Sequence, residues 1–204
     1  MKKFFFLLLF AGFYINSSAQ KNYIILYNVT RQNPDSGKPL IRFKTKLIIK
    51  DSVSYQYNFS VTDDVDPPYG KRYRGHSSYT NIASNLLLYQ SEPMNNSRYI
   101  VVDTIQKYEW KLFNEEKVIL NHNCKKAICI YEGGIYFAFY TEDIPLPFGP
   151  WIFGGLPGVI LELGSAKWPQ VWTATAIKNV NVEIVQPAIG KKITPQQFFE
   201  ILKN

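Results

Sequence analysis

The chain is poor in the residues that most often carry chemistry. Its 204 residues include only two cysteines and two histidines. The signatures H-E-x-x-H, G-x-S-x-G, G-x-x-x-x-G-K and C-x-x-C do not occur in it. Their absence excludes the zinc protease, serine hydrolase, P-loop and dithiol sites that these signatures define, and it lowers the expectation of an enzyme of any kind.

The two cysteines, Cys124 and Cys129, are unsuited to a disulfide with each other. On one extended strand their Cα atoms would be about 16 Å apart. A disulfide requires Cα atoms within about 7 Å of each other. We therefore expect one or both thiols to be buried as small apolar side chains, with pairing to another chain as the minor alternative.

Long apolar runs are absent beyond the first residues. Two lysines precede an apolar run at residues 4–14, and the small residues Ser17-Ser18-Ala19 follow it. This order predicts a signal peptide over residues 1–19, cleaved after Ala19, and one exported domain over residues 20–204. The run is shorter than the ~20 residues that span a bilayer, so the sequence predicts no membrane span. We expect a periplasmic or outer-membrane-associated protein without a lipid anchor, because no cysteine follows the cleavage point.

Charge of one sign is not concentrated anywhere along the chain. The net charge is +7, and removing the first 19 residues takes away two lysines and leaves a surplus of five positive charges. The densest basic stretch is Lys71-Arg72-Tyr73-Arg74, while the other lysines are scattered. Nucleic-acid-binding proteins usually gather basic residues on one face, so we expect no nucleic-acid partner.

Aromatic and β-branched residues are abundant and occur in short runs, which is typical of β-strands. A polar turn is predicted at residues 114–116 and a hairpin turn within Glu132-Gly133-Gly134, because paired glycines accept a positive φ. Residues 62–96 are predicted to be irregular, apart from one short element at 82–89. The predicted strands are 23–30, 40–50, 53–61, 98–105, 108–113, 117–131, 135–141, 159–163 and 170–180.

One helix is predicted at the end of the chain. Thr194 is a suitable N-cap, Pro195 suits the first helical position, and the apolar residues that follow recur at helical spacing. The sequence therefore predicts a mainly β protein with a single domain. We expect a curved antiparallel sheet in a meander, similar to the half-barrels of periplasmic lipoprotein carriers, with a short C-terminal helix packed on it.

The most distinctive stretch is residues 149–161, where glycines and prolines alternate with large apolar residues. Within it, Leu156-Pro157-Gly158-Val159 predicts a type II turn, which places proline second and glycine third. A structural corner is one interpretation of the stretch. The other is a rigid apolar binding edge, because exposed tryptophan and phenylalanine are costly unless something covers them. The candidate binding residues are Trp151, Phe153, Gly155, Leu156, Pro157, Gly158 and Ile160.

Other residues offer less complete constellations. His122 and Cys124 are two apart on a predicted strand, so they share a face and are two of the three or four ligands that a soft metal needs. His76 precedes two serines in a polar loop, where a base and its nucleophile are rarely aligned. The alternative function is therefore a secreted hydrolase or metal-handling protein that uses His122 and Cys124, or His76. We predict no cofactor, no catalytic residue and no resident metal.

Clusters of carboxylates are also poor candidates for a site. Asp63, Asp64 and Asp66 lack the glycine and the terminal glutamate of an ordered calcium loop, so we interpret them as a solvated turn. Glu142 and Asp143 are adjacent at the end of a predicted strand. Adjacent side chains on extended backbone diverge, so these two are not expected to act as a paired acid and base.

The chain resembles the GLPGLI family, which comprises secreted proteins of Gram-negative bacteria. The family's hexapeptide reads GLPGVI here, at residues 155–160. Val159 stands where leucine is usual, Phe139 where tryptophan is common, and Asn121-His122 where Gly-Tyr is usual. The resemblance spans residues 110–161, about a quarter of the chain, with matches in consistent order at Trp110, 117–119, 124–127, 140–145, 149–150, Phe153 and 155–161.

What the resemblance implies is a cellular setting more than a reaction. Members of the family are exported and are often encoded beside outer-membrane transporters. By analogy, we expect an exported, non-catalytic accessory protein of the cell envelope. Its expected partner is an outer-membrane protein, or a small apolar or peptide ligand.

Overall fold

The computed structural model describes residues 22–32, 39–59, 77–90, 97–166 and 170–203. The predicted signal peptide, His76, the aspartates at 63–66 and the basic stretch at 71–74 lie outside these ranges. Twelve strands and one helix are present in the described residues. They are β1 (Asn22–Gln32), β2 (Pro39–Lys50), β3 (Val53–Phe59), β4 (Ser77–Asn81), β5 (Leu86–Gln90), β6 (Tyr99–Asp103), β7 (Lys111–Ile119), β8 (His122–Tyr131), β9 (Gly134–Thr141), β10 (Val159–Ser165), β11 (Gln170–Asn179), β12 (Lys191–Ile193) and α1 (Pro195–Lys203).

All twelve strands belong to one sheet, in the order β12-β6-β5-β4-β3-β2-β1-β11-β10-β9-β8-β7. Every neighbouring pair is antiparallel except β12 and β6, which are parallel. The predicted mainly β, curved antiparallel sheet with a short C-terminal helix is therefore confirmed. The parallel pairing of the three-residue β12 was not predicted.

The chain connectivity requires the sheet to curve. β6 lies second from one edge and β7 forms the other edge, so ten strand spacings separate them. In a flat sheet that separation would be about 48 Å. The connection from Asp103 to Lys111 spans eight Cα steps and reaches at most about 29 Å. The two edges must therefore approach each other, which gives the sheet a concave side.

The segment between β9 and β10, residues 142–158, lies on this concave side. It contacts strands from both halves of the sheet, because Trp151 stacks on Trp172 of β11 and accepts a hydrogen bond from Gln56 of β3. Alternate residues of the central β1 face the same core, where Ile25, Tyr27 and Val29 are fully buried. The Tyr27 hydroxyl donates to the carbonyl oxygen of Ile160 at 2.6 Å, and burial raises its pKa.

Several local predictions are wrong. Residues 114–116 do not form a turn, because they lie inside β7, where the register with β8 shifts between Phe113 and Glu116. The turn is instead Leu120-Asn121, and both residues have positive φ, 50° and 65°. Residues 82–89 are not one element either, since 82–85 form the turn between β4 and β5.

Three further predictions are wrong: β4 (Ser77–Asn81) lies in the stretch predicted to be irregular, residues 108–110 precede β7 and are not in a strand, and the predicted strand 117–131 is divided by the Leu120-Asn121 turn. The predicted hairpin turn and helix cap are confirmed. The hairpin after β8 turns at Glu132-Gly133, with φ of 47° and 69°, and Gly134 already belongs to β9. Thr194 caps α1, since its Oγ1 accepts from the Gln197 N–H at 3.2 Å while Gln197 Oε1 accepts from the Thr194 N–H at 2.9 Å. However, α1 lies beside β6 without burying any residue, so its expected packing on the sheet is only a loose contact. The helix in the described ranges lacks the length and apolar character needed to cross a membrane.

Candidate functional site

Backbone hydrogen bonds tie residues 142–158 into a fixed path. The N–H of Gly155 donates to Pro147 O at 3.0 Å, and the N–H of Ile160 donates to Phe148 O at 2.9 Å. The N–H of Val159 reaches back to Ile144 O at 3.0 Å. The segment is therefore anchored at several points along its length, and its side chains are presented from a rigid support.

The glycines of this segment mainly serve close packing. The predicted type II turn at 156–159 is wrong, because that turn requires a positive φ at Gly158 and the positive φ occurs at Gly155 instead. Gly158 is needed for a different reason, since a Cβ there would collide with the carbonyl oxygen of Thr141. A Cβ on Gly149 would lie 2.7 Å from Ile160 Cδ1, which is also too close.

Phe153 is covered by the protein's own aromatic side chains. It is 2 % exposed, and its ring centroid lies 4.6 Å from those of both Tyr108 and Tyr136. The Tyr131 ring packs edge-on, with its centroid 5.9 Å from that of Phe153, and the Trp110 ring is tilted, with its centroid at 6.1 Å. Tyr108 and Trp110 belong to the connection between β6 and β7, so Phe153 joins the approaching edges of the sheet to the segment inside it.

Trp151 is different because one part of it stays open to solvent. It is 40 % exposed, and its indole is nearly parallel to that of Trp172, at 6.0 Å and 9°. Its φ is +58°, a left-handed conformation that costs a non-glycine residue about 1–2 kcal/mol. The stack on Trp172 and the hydrogen bond from Gln56 to its carbonyl oxygen hold it in this conformation. The strained backbone of Trp151 thus fixes the orientation of one exposed aromatic ring.

Two cavities of about 500 and 550 Å³ adjoin Trp151, and both are lined by Trp151, Gln56 and Ser78. Of the predicted binding residues, Trp151, Phe153 and Gly155 line the first cavity. Leu156, Gly158 and Ile160 are buried in the core, and Pro157 is exposed. The binding edge predicted from sequence is therefore divided, with its first half at the cavities and its second half in the core or on the surface.

The residues of the predicted metal alternative have partners within the protein. His122 Nδ1 lies 2.8 Å from Asp143 Oδ2, and the Cys124 thiol donates to the carbonyl oxygen of His122 at 3.5 Å. Burial raises the pKa of Cys124 to about 11, which disfavours the thiolate that a metal would bind. In the described ranges no group of three or more His, Cys, Asp or Glu side chains is arranged to hold a metal ion.

Glu142 and Asp143 diverge as predicted. Glu142 pairs with Lys125 at 3.1 Å, whereas Asp143 pairs with His122. Each carboxylate thus faces a different side chain, and both are exposed at the end of β9. They lie in a surface turn and share no common site.

Sequence reasoning missed Gln56 and Trp172, which complete the surroundings of Trp151. A signal for Gln56 was present, because Ser54 and Gln56 are polar at alternate, inward-facing positions of an otherwise aromatic strand. A polar side chain at such a position is unusual unless it has a partner or lines a cavity. Trp172 follows the same inward alternation with Ala174 in β11.

The fold defines a class, namely proteins with a single open, curved antiparallel β-sheet, and here cavities lie on its concave side. Within it, the chain is similar to the solved structure of PNGF-II in two crystal forms. In the C2 space group the TM-score is 0.70, with 19% identity over 91% of this chain. In the P21 space group it is 0.71, with 19% identity over 90% of this chain.

This likeness shows the fold alone. The chain covers 33% of the length of PNGF-II, so it corresponds to about a third of that protein. No family model matches the sequence, and a search of curated proteins finds no match.

Proposed function

We propose that the protein is an exported, non-catalytic accessory protein of the cell envelope that binds an apolar ligand, or an apolar side chain of a protein partner, in the first cavity. The signal-peptide pattern of residues 1–19 supports export. The resemblance to the GLPGLI family supports an envelope role, in which an outer-membrane transporter is the expected partner.

One observation carries this proposal: the exposed face of Trp151 forms part of a cavity of about 500 Å³. That volume lies within the range of small-molecule sites, roughly 300–1,000 Å³. Aliphatic side chains of Leu47, Ile82, Ile105 and Ile152 also line it. An apolar group placed there would cover Trp151 and leave water, which is favourable in proportion to the apolar area removed.

The chemistry of the lining supports binding over catalysis. No histidine, cysteine, aspartate or glutamate lines the first cavity in the part of the chain that the structure describes. Its titratable side chains are Lys107 and Tyr108. Burial, followed by the neighbouring Tyr131 and Tyr89, raises the pKa of Tyr108, so that hydroxyl stays neutral and serves as a hydrogen-bond donor to Ile152 O at 3.2 Å.

A fluorescence titration with N-phenyl-1-naphthylamine, an apolar probe, tests the proposed cavity. We expect the probe to bind, and we expect Trp151→Ala to weaken binding at least tenfold, because the variant removes the largest apolar surface of the cavity. Ile130→Ala is the matched control, since Ile130 is 74 % exposed and does not line the cavity. Equal probe affinity in the Trp151 and Ile130 variants would contradict the proposal.

Purification from native envelopes in mild detergent tests the cellular part of the proposal. We expect the protein to be recovered with a bound lipid or peptide, or together with an outer-membrane transporter. Recovery only as a free monomer, without a bound ligand or copurifying protein, would count against the envelope role. The probe titration and the purification are independent, so each part of the proposal can fail separately.

A further inference from the structure

The second cavity differs in chemistry from the first. Among the described residues, its lining contains five aromatic side chains and six that carry an amide, a hydroxyl or a carboxylate, and no aliphatic side chain. The aromatic residues are Phe43, Tyr89, Tyr136, Trp151 and Trp172. A space for an acyl chain would be lined by aliphatic groups, as the first cavity is. The second cavity is therefore suited to a ligand that has flat apolar faces and polar edges.

An acceptor without a partner among the described residues belongs to Gln56, a residue that lines this cavity. Gln56 is 7 % exposed, and its Nε2 donates to the carbonyl oxygen of Trp151. Its Oε1 is buried and has no hydrogen-bond partner in the described residues. A buried acceptor without a partner costs about 1–3 kcal/mol. A ligand with an O–H or N–H group at this point would remove that cost.

Asn58 supplies the complementary group. It lies two residues after Gln56 on β3, so both side chains extend from the same face of the sheet, and both line the cavity. Thr45 Oγ1 donates to Asn58 Oδ1 at 2.7 Å, so the amide nitrogen is the remaining hydrogen-bonding group of this side chain, and it is a donor. An acceptor and a donor on neighbouring positions match hydroxyl groups, which both donate and accept.

Charge restricts the ligand further. The described lining has no lysine, arginine or histidine, and its one carboxylate belongs to Glu132. A phosphate or carboxylate would meet no cation in this described lining and would face a carboxylate of the same sign. The ligand that fits is neutral, carries several hydroxyls, and has a ring face that packs on aromatic side chains.

We propose that the second cavity is a binding site for a neutral saccharide. A pyranose ring has C–H groups across its face, which pack on Trp172 and Tyr136, and hydroxyls around its rim, which hydrogen-bond with the side-chain amides of Gln56 and Asn58. The site goes beyond the proposed function, because it takes a different class of ligand in a different cavity. Binding is non-covalent and leaves the sugar unchanged.

Calorimetric titration of the purified full chain with neutral oligosaccharides tests this site. The probes are maltopentaose, cellopentaose, chitotetraose and mannotetraose. We expect at least one to bind with a Kd below about 1 mM and to quench tryptophan emission, because Trp151 and Trp172 lie at the site. If all four fail to bind at about 10 mM, the inference is overturned.

Variants show whether binding occurs in this cavity. We expect Trp172→Ala and Asn58→Ala each to weaken saccharide binding at least tenfold, whereas Trp172→Phe, which keeps a flat ring, loses less. Circular dichroism establishes that each variant is folded. Wild-type affinity in both folded alanine variants would overturn the assignment. Glucose 6-phosphate should bind more weakly than glucose because of Glu132, and tighter binding of the phosphate would also contradict it.

The first cavity provides the control that separates the two proposals. Ile105→Ala changes a side chain of the first cavity alone and should weaken the apolar probe while leaving saccharide affinity unchanged. If the apolar probe binds and no saccharide does, this inference fails and the proposed function stands. If a saccharide binds and the apolar probe does not, the proposed function fails and this inference stands.

Discussion

Gly155 and Gly158 are three residues apart, yet they are required for different physical reasons. Gly155 has a φ of +83° and open space where a Cβ would be, so only its backbone conformation favours glycine. Gly158 has no positive φ, but its Cα passes against the backbone of Thr141. Strain at the first position is local, whereas a side chain at the second would push β9 away from the entry to β10.

Alanine substitutions at these glycines should therefore differ in cost. We expect Gly155→Ala to lower the free energy of unfolding by about 1 kcal/mol, the cost of a left-handed alanine. We expect Gly158→Ala to lower it by about 3 kcal/mol, because the new methyl group meets rigid backbone. Urea denaturation of both variants measures the difference. A larger loss for Gly155→Ala than for Gly158→Ala would show that close packing is not the reason for Gly158.

For single residues, the sequence predicted that 149–161 form a corner or a binding edge, but it did not predict that Trp151 and Phe153 have different surroundings. Trp151 and Phe153 are both large and aromatic, and they are two positions apart. Only the long-range contacts separate them: Phe153 meets the connection between β6 and β7, while Trp151 turns toward Trp172. Those contacts join residues far apart in the chain, and no local pattern encodes them.

Among the elements, the hairpin of β7 and β8 shows why local turn signals can mislead. Asn114-Glu115-Glu116 is polar and was predicted to be a turn, but β7 is an edge strand and these residues are exposed on it. An edge strand tolerates charged residues and an irregular register, and both discourage pairing with another chain. Leu120 carries no turn signal, although it occupies a turn position with a φ of 50°.

Replacing Leu120 should stabilise the protein. Leucine in the left-handed region costs about 1–2 kcal/mol, and asparagine adopts that region more readily. Leu120 is 38 % exposed, so little apolar burial is lost. We expect Leu120→Asn to raise Tm by about 2–4 °C in thermal denaturation.

The neighbouring Asn121, with a φ of 65°, provides the reciprocal control. Asn121→Leu places leucine at a second left-handed position and should lower Tm by a similar amount. A lower Tm for Leu120→Asn would mean that the packing of Leu120 outweighs its backbone strain. The two variants together distinguish conformational cost from the loss of side-chain contacts.

For the whole molecule, the composition predicted a curved β-sheet but not how its edges come together. The connection between β6 and β7 fastens to the segment on the concave side, since Trp110 Nε1 donates to Gly154 O at 2.9 Å and Tyr108 stacks on Phe153. This closure depends on residues more than 40 positions apart, as does the parallel pairing of β12 with β6. The predicted export, the family resemblance and the envelope role stay predictions.

The closed core also determines how the whole molecule responds to alkaline pH. Cys124 and Cys129 are 0 and 2 % exposed, and neither forms a disulfide, as the sequence predicted. Burial raises the pKa of each thiol from its ordinary value of 9.0 to about 11. The folded protein therefore holds these two protons more tightly than the unfolded chain does. This contribution to stability is complete below pH 9 and is lost as the pH rises through the folded pKa near 11.

Urea unfolding of the wild type and of a Cys124→Ala/Cys129→Ala variant, measured from pH 7 to pH 11, tests this linkage. Both proteins lose stability at high pH, because buried tyrosines such as Tyr27 keep their protons in the folded state but ionise in the unfolded chain. The variant starts from a lower free energy of unfolding, since it leaves two small cavities in the core. Its decrease between pH 9 and pH 11 should be smaller than that of the wild type, because it has no thiol to ionise. Equal decreases in the free energy of unfolding of the two proteins would show that the thiols have the same pKa in the folded and unfolded states. The space around them would then be open to water.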